Sequence, residues 1–397
     1  MKNIELAPHI YYVGVNDRKT TLFENHMQLP HGVSYNSYLI VDEKVALIDP
    51  VEMSFTGELL EKIVSIIGNR PIDYLIVNHA EPDHSSATAL LLQHYPKMRI
   101  IGNAKTFAPL EAFYGPIANQ QVVADGETLS LGTHTLRFFV APMVHWPESM
   151  VTFETSTGIL FSNDAFGGFG SLNGAIFDHQ VNINFYEDDM RRYFANIVGK
   201  VATPTLKAIQ KLATLEIQMI APSHGLIWQE NPSWVINKYT QWCQHHGEEG
   251  VVIAYGSMYG NTARMADIIA QGVASTGIKE IRIYDVAHTE TSFIISDIWK
   301  YKGVLLGACA HYGNMFPNMS LLVHELIEFK PQNKIYGLFG GMSWSGGGVA
   351  TLHKLATAAS WNLITDNVEI KGGVHQEADF ERLFQLGQKI GEAIKEH

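Results

Sequence analysis

The stretch His79-Ala80-Glu81-Pro82-Asp83-His84 decides how this chain is read. It follows the apolar run Tyr74-Leu75-Ile76-Val77, which has the composition of a buried strand. Four side chains able to ligate a metal therefore crowd into one hexapeptide at a strand end. Carboxylate oxygens and imidazole nitrogens in one patch suit iron, zinc or manganese. The repulsion between Glu81 and Asp83 falls sharply if a cation lies between them.

The same grammar recurs along the first half of the chain. Val45-Ala46-Leu47-Ile48 leads into Asp49-Pro50, and Arg99-Ile100-Ile101 into Gly102-Asn103. Phe138-Phe139-Val140 leads towards Pro142 and His145, Ile159-Leu160-Phe161 into Asn163-Asp164, and Met219-Ile220 into Pro222-Ser223-His224. Helical patterns are expected over Ser86 to Tyr95 and Pro204 to Leu215. Such a domain is α/β and carries its chemistry on loops at strand ends. His145, Asp164 and His224, each flanked by small or turn-forming residues, join His79, Glu81, Asp83 and His84 as candidate ligands of a two-metal site. A single histidine at a strand end is more often structural than ligating. The hexapeptide and three further strand-end ligands together are not explained that way. His94, His134, His179, His245, His246 and His324 lack such a context and are read as structural.

A helix over Pro232 to Gln244 closes this half, and His245-His246-Gly247-Glu248-Glu249-Gly250 reads as a linker. The domains are accordingly expected at 1–247 and 248–397. From Val251 strands and helices alternate regularly. Strands are expected at Val251–Tyr255, Glu280–Tyr284, Gly303–Leu306, Ile335–Phe339 and Val368–Ile370, with a long amphipathic helix from Glu377 to Lys395. That order predicts a doubly wound, five-stranded parallel sheet.

After the first of these strands comes Gly256-Ser257-Met258-Tyr259-Gly260-Asn261-Thr262, and a helix begins at once. Small and hydroxyl residues at a helix N-terminus make a phosphate site. No lysine follows as in a nucleoside-triphosphate loop. Two more strand-end loops, Ala308-Cys309-Ala310-His311-Tyr312-Gly313-Asn314 and Gly340-Gly341-Met342-Ser343-Trp344-Ser345-Gly346-Gly347, lie further on. Tyr312 and Trp344 offer flat faces to a planar ring, although Trp344 could instead pack within its own domain.

Composition narrows the partners. The chain has 397 residues, 46% of them hydrophobic, enough for two or three domains with sizeable cores. A formal net charge of -12 disfavours nonspecific nucleic-acid binding, which needs lysine and arginine. The 2 cysteines, Cys243 and Cys309, imply no disulfide framework, and a cytoplasmic setting is expected. No apolar run approaches the ~20 residues of a membrane span, and no signal-type segment opens the chain. There is no Cys-x-x-Cys pair, so no built-in rubredoxin is expected.

The order His79, Glu81, Asp83, His84, His145, Asp164, His224 resembles the metallo-β-lactamase-like fold, and in particular the flavodiiron protein family. The phosphate loop and the sheet pattern behind it resemble flavodoxin. The resemblance spans from about Ile10 to the C-terminus, in the family's order. It implies an N-terminal metallo-β-lactamase-like αββα sandwich followed by a flavodoxin-like domain. It also implies FMN and two non-haem iron ions as cofactors. His79, Glu81 and His145 would hold one iron, and Asp83, His84 and His224 the other. Asp164 would bridge them, and Glu81 and Asp164 would be the catalytic carboxylates. Zinc hydrolases of that fold carry histidine where this chain has Glu81, and an anionic oxygen there favours a redox-active pair. FMN would be held by Ser257, Met258, Tyr259, Gly260, Asn261 and Thr262. Ala308, Cys309, Tyr312 and Asn314 from the second loop, and Gly341, Trp344, Ser345, Gly346 and Gly347 from the third, would complete its site. Where many relatives have Pro-Thr, this chain has Cys309-Ala310.

The implied function is reduction of oxygen to water, with nitric oxide reduction to nitrous oxide alongside it. A separate electron donor is expected: a rubredoxin, a flavin reductase or reduced deazaflavin. A head-to-tail homodimer, extending to a dimer of dimers, would bring the flavin of one subunit to the iron of the other. The alternatives are a zinc-dependent metallo-hydrolase with an appended flavodoxin domain, and a non-enzymatic electron carrier or gas sensor. Relatives often have histidine after the phenylalanine corresponding to Phe23. Here Glu24 follows it, with His26 beyond, and either side chain could face the metals.

Overall fold

The computed structural model describes residues 3–396. It divides into two compact units, Met1–Cys243 and Gln244–His397.

The first unit is built on two sheets. One has seven strands in the order Ile4–Ala7, Ile10–Tyr12, Tyr38–Val41, Val45–Ile48, Tyr74–Ile76, Arg99–Gly102, Gln120–Val122. The other has five, in the order Thr128–Ser130, Thr135–Val140, Met150–Glu154, Ile159–Asn163, Met219–Pro222. Their inner faces meet where Tyr38 packs against Phe161, ring centroids 5.1 Å apart. Both rings are fully buried. Helix Thr56–Ile67 closes over the core with Leu59, Ile63 and Ile67, a helical stripe that is fully or nearly fully buried.

In each sheet the central strands are buried on both faces. Val45–Ile48, Met150–Glu154 and Ile159–Asn163 are buried throughout. Such strands must send polar side chains out at their ends, and that places the candidate ligands at one rim. The helix expected over Ser86–Tyr95 differs. A short helix, Pro82–Ser85, starts inside the hexapeptide with proline in its first turn, and Thr88–His94 follows as a separate helix. Proline at a first helical position is preset for the helix and gives up only an N–H that would be unpaired anyway. Asp83 and His84 therefore ride on a helical turn rather than an open loop.

The second unit is a doubly wound parallel sheet, in the order Ile281–Asp285, Glu248–Gly256, Tyr301–His311, Ile335–Met342. The last of these pairs with both Asn362–Leu363 and Val368–Lys371. The expected five strands are present. Asn362–Leu363, and Asn314–Met315 antiparallel to the end of Tyr301–His311, add short pieces. The stretch expected as a linker is mostly committed to this unit. Glu248 already begins a strand, and the His245 ring lies on buried Trp299 at 5.1 Å.

Helices Asn261–Ser275 and Glu377–Glu396 cross in near contact. A Cβ on Gly387 would sit 2.1 Å from the Ile269 carbonyl oxygen, and one on Gly272 2.1 Å from that of Phe384. Backbone cannot yield there as a side chain can. Gly387→Ala is therefore expected to lower stability by about 1–3 kcal/mol, read from the denaturant midpoint of the second unit's unfolding transition.

Candidate functional site

Seven side chains from four segments of the chain converge at the rim of the first unit. Two groups form, each with ligand atoms within 4.8 Å of one another: His79, Glu81, His145 and Asp164, and Asp83, His84 and His224. In the first, His145 Nε2 lies 3.0 Å from Glu81 Oε2 and 3.3 Å from Asp164 Oδ2. His79 Nε2 is 3.1 Å from Glu81 Oε2 and 3.4 Å from Asp164 Oδ2. In the second, His84 Nε2 is 2.9 Å from Asp164 Oδ1, and His224 Nε2 is 3.2 Å from Asp83 Oδ2. Asp164 thus turns one oxygen to each group.

The two contacts to Glu81 are hydrogen bonds, and the others are close without being so. Both oxygens of Asp83, both of Asp164, both ring nitrogens of His84 and Nε2 of His224 are buried without a hydrogen-bond partner. Orphaned polar atoms at this density are costly. They are the natural state of ligands arranged around cations. The electrostatics agree. Burial alone would push the imidazoles towards neutrality. Instead Glu148 and Glu81 raise His79 to about 9, Asp83 and Asp164 raise His84 to about 10, and Asp164 and Glu81 raise His145 to about 10. Asp164 goes the other way: burial disfavours its charge, but His84 and His145 hold its carboxyl well below the usual range. A field that draws protons onto imidazoles is one that a pair of divalent cations would satisfy, with those protons released.

Orienting contacts fix the rings from behind. His79 Nδ1 pairs with Glu148 Oε1 at 2.7 Å, and the Ala80 N–H donates to the same oxygen at 3.0 Å. His224 Nδ1 donates to the Ser34 carbonyl at 2.6 Å. Each contact leaves Nε2 to point inward. Aromatic rings line the approach. Trp146 stands perpendicular to His79 at 5.1 Å, and Phe23, Tyr35 and Tyr193 lie edge-on or tilted to His224 at 5.8, 5.8 and 5.5 Å. The Tyr193 phenol is pushed up by burial and then by the charge of Asp164.

Glu148, Ser34 and Tyr193 were not found from the sequence. Glu148, three residues after His145, carried no spacing signal that sets it apart from any acidic residue. Glu24 and His26 sit on one exposed hairpin. Glu24 and Asn25 turn the chain with φ of 46° and 60° between Leu22–Phe23 and Met27–Gln28. Glu24 meets Glu81, and burial together with that carboxylate raises its pKa to about 7. His26 instead turns Nδ1 to the Glu24 carbonyl at 3.1 Å.

In the second unit the three predicted loops lie at the ends of neighbouring strands. The Gly260 N–H donates to Ser257 Oγ at 3.1 Å, and Gly260, φ 86°, leads into helix Asn261–Ser275. Thr262 Oγ1 is buried without a partner in that first turn. Tyr259, Tyr312 and Trp344 are 90%, 96% and 87% exposed, so Trp344 does not pack into its own domain. Met258 is also exposed. The second and third loops touch backbone to backbone, since a Cβ on Gly347 would sit 2.2 Å from the Gly313 carbonyl oxygen. Ala308 and Gly341 are buried, and Ser345 is exposed. Asn314 returns antiparallel to His311. Cys309 is almost buried, and burial raises its thiol pKa. Gly346 approaches Glu369, whose oxygens a Cβ would meet at 3.2 and 3.3 Å. An orphaned hydroxyl at a helix N-terminus and exposed flat rings fit a phosphate-bearing planar cofactor.

A metal-ready histidine and carboxylate cluster on a two-sheet domain, joined to a flavodoxin-like sheet with an open phosphate loop, defines a two-part redox protein. Residues 33–225 match the model of the ODP family beta lactamase, and residues 253–383 that of flavodoxin. The chain is 34% identical over 396 residues to a nitric oxide reductase of Moorella thermoacetica, covering 98% of each. Its structure is similar to the rubredoxin oxygen:oxidoreductase of Desulfovibrio gigas, with a TM-score of 0.95, 32% identity and coverage of 100% and 99%. It is also similar to the flavodiiron protein of Giardia intestinalis, with a TM-score of 0.95, 26% identity and coverage of 100% and 97%. The chain belongs to the flavodiiron family. It is an oxidoreductase, and the zinc-hydrolase alternative falls away.

Two substitutions test the assembly of these sites. Glu148→Ala should weaken iron binding about 10–100-fold by freeing the His79 ring, measured by competition with a chelator. Thr262→Val, which keeps shape and removes the orphaned hydroxyl, should weaken FMN binding roughly tenfold, measured by quenching of flavin fluorescence on titration of the apoprotein.

Proposed function

We propose that this protein reduces oxygen to water, and nitric oxide to nitrous oxide as a second activity, at two irons held by the seven-residue cluster and supplied with electrons through FMN. His79, Glu81 and His145 hold one iron, Asp83, His84 and His224 the other, and Asp164 joins them. The carrying observation is Asp164, with one buried oxygen turned to each group and neither hydrogen-bonded. When bound, the flavin would supply electrons singly or in pairs, and a pair of redox-active irons would supply the electron transfer to a diatomic gas.

The chain's own residues supply the setting. Glu148 and Ser34 hold the His79 and His224 rings, so the ligand geometry is in place before any gas arrives. Phe23, Tyr35 and Trp146 wall the cluster with apolar surface and limit water around it. Glu81 gives the first group an anionic oxygen, a donor that would favour a harder, redox-active metal. In the second unit Ser257, Gly260, Asn261 and Thr262 hold the flavin phosphate. Tyr312 or Trp344 would stack on or meet the edge of the ring, and Met258 and Tyr259 would belong to the same site. Ala308, Cys309, Asn314, Gly341, Ser345, Gly346 and Gly347 shape the remaining loops.

Electrons come from a separate protein or reduced deazaflavin. Among the described residues no helix is long and apolar enough to cross a membrane, and the setting proposed is the cytoplasm. The subunits pair head to tail, each flavin serving the partner's irons, with a dimer of dimers as the larger form. Mixing a metal-site variant, His224→Ala, with a flavin-site variant, Thr262→Asp, tests the whole reading. Random pairing would give about a quarter of the parental turnover, because half the dimers then hold one intact flavin and iron pair. Stopped-flow oxidation of the mixture by each gas separately reads it. No recovery, or full activity in a sedimenting monomer, would overturn the arrangement. Parental protein that fails to reoxidise with either gas would overturn the activity.

A further inference from the structure

We propose that the flavodoxin-like unit carries a second binding site, for a nucleotide-sized anion bearing a planar, amino-substituted ring. The site lies where the strands begin, at the opposite end of the sheet from the flavin loops. A cavity of about 1050 Å3 opens there, at the upper end of the range for small-molecule sites. Three lysines line it, Lys302, Lys330 and Lys334, and among the described residues no aspartate or glutamate does. That is unexpected in a chain with 40 acidic and 28 basic residues.

Part of this positive charge is structural. Helices Thr291–Lys300, Pro317–Phe329 and Gly348–Ala358 end at this side of the sheet and bring the negative ends of their dipoles. Lys334, nearly fully buried, answers one of them by donating to the Trp299 and Tyr301 carbonyls at 2.9 Å each. The other two lysines are less committed. Lys330 is exposed at the left-handed C-cap of its helix, and Lys302 is half-buried, reaching the Ile394 carbonyl only at 3.5 Å.

The walls also offer a ring and an unmet hydroxyl. Trp361 stacks on Tyr336 with centroids 4.5 Å apart and planes 7° from parallel. Tyr336 is buried, whereas Trp361 is half-buried and keeps part of its surface towards solvent. The Tyr336 hydroxyl is buried and has no hydrogen-bond partner, a state that folded proteins seldom leave uncorrected. The chemistry of the occupant follows from the parts. Two ammonium groups call for an anion, helix-end carbonyls for an amino donor, and the indole for a flat ring to stack on it. Inorganic phosphate satisfies one of these demands, adenosine two, and adenosine monophosphate all three.

Calorimetry on the FMN- and iron-loaded protein decides the matter with those three probes. Adenosine monophosphate should bind once per chain, at least tenfold more tightly than adenosine or phosphate, with no loss of flavin. Trp361→Leu should weaken it at least tenfold. Lys302→Gln with Lys330→Gln should bring it to the affinity of adenosine. Both variants should keep wild-type FMN content and gas reduction, which separates this site from the redox centre. The proposal is overturned if adenosine monophosphate shows no saturable binding up to millimolar concentration. It is equally overturned if binding is unchanged in the variants, or if its stoichiometry follows the flavin-free fraction. Should Trp361→Leu not fold, the double lysine variant decides by the same criteria.

Discussion

Three carboxylates and four imidazoles share one buried rim, and that crowding cannot stand without added positive charge. Water cannot relieve it, because Asp164, His79, His84 and His224 are almost completely enclosed. Protons could relieve it in part, which is why the His79, His84 and His145 imidazoles are held in their charged form well above their ordinary range. Metal ions relieve it better, since each gathers several lone pairs at once where a proton serves two. The first unit is best understood as a frame that makes this unfavourable arrangement the only one its backbone allows.

The frame works through strand ends. Strands buried on both faces, such as Val45–Ile48 and Ile159–Asn163, are fixed by burial along their length, so the residues just beyond them are placed almost as firmly. The orienting contacts to Glu148 and Ser34 finish what the strands begin. The second unit solves a similar problem with less burial. Its phosphate loop sits on a rigid strand and helix junction, while Tyr259, Tyr312 and Trp344 stay exposed. Surface of that kind is stable in a folded protein when a cofactor or another protein surface covers it.

Much of this was legible in the sequence because the signals were local. Four ligands in one hexapeptide, a small-residue loop between a strand and a helix, and a regular alternation after Val251 each depend on a few adjacent residues. The doubly wound sheet followed from them, and the two-sheet form of the first unit from the family resemblance they carry. What was not legible depended on distant pairing. Glu148 lies 69 residues from the His79 ring that it holds, and the Ser34 carbonyl 190 residues from His224. Backbone carbonyls carry no sequence signature at all. The helical turn Pro82–Ser85 was hidden because its ligands read as a loop, although Pro82 is itself a starting signal. His245 looked like a linker residue because nothing nearby in sequence shows that Trp299 lies beneath it. Glu24 and His26 could not be separated because both sit on one tight turn, whose left-handed backbone at Glu24 and Asn25 no local sequence signal announces.

Anomalous diffraction at the iron and zinc edges, from crystals of anaerobically purified protein, tests the central claim most directly. The account predicts two iron peaks per chain, one against His79, Glu81 and His145 and one against Asp83, His84 and His224, with Asp164 reaching both. A single peak, a zinc signal in place of iron, or carboxylates turned away from one another would contradict it.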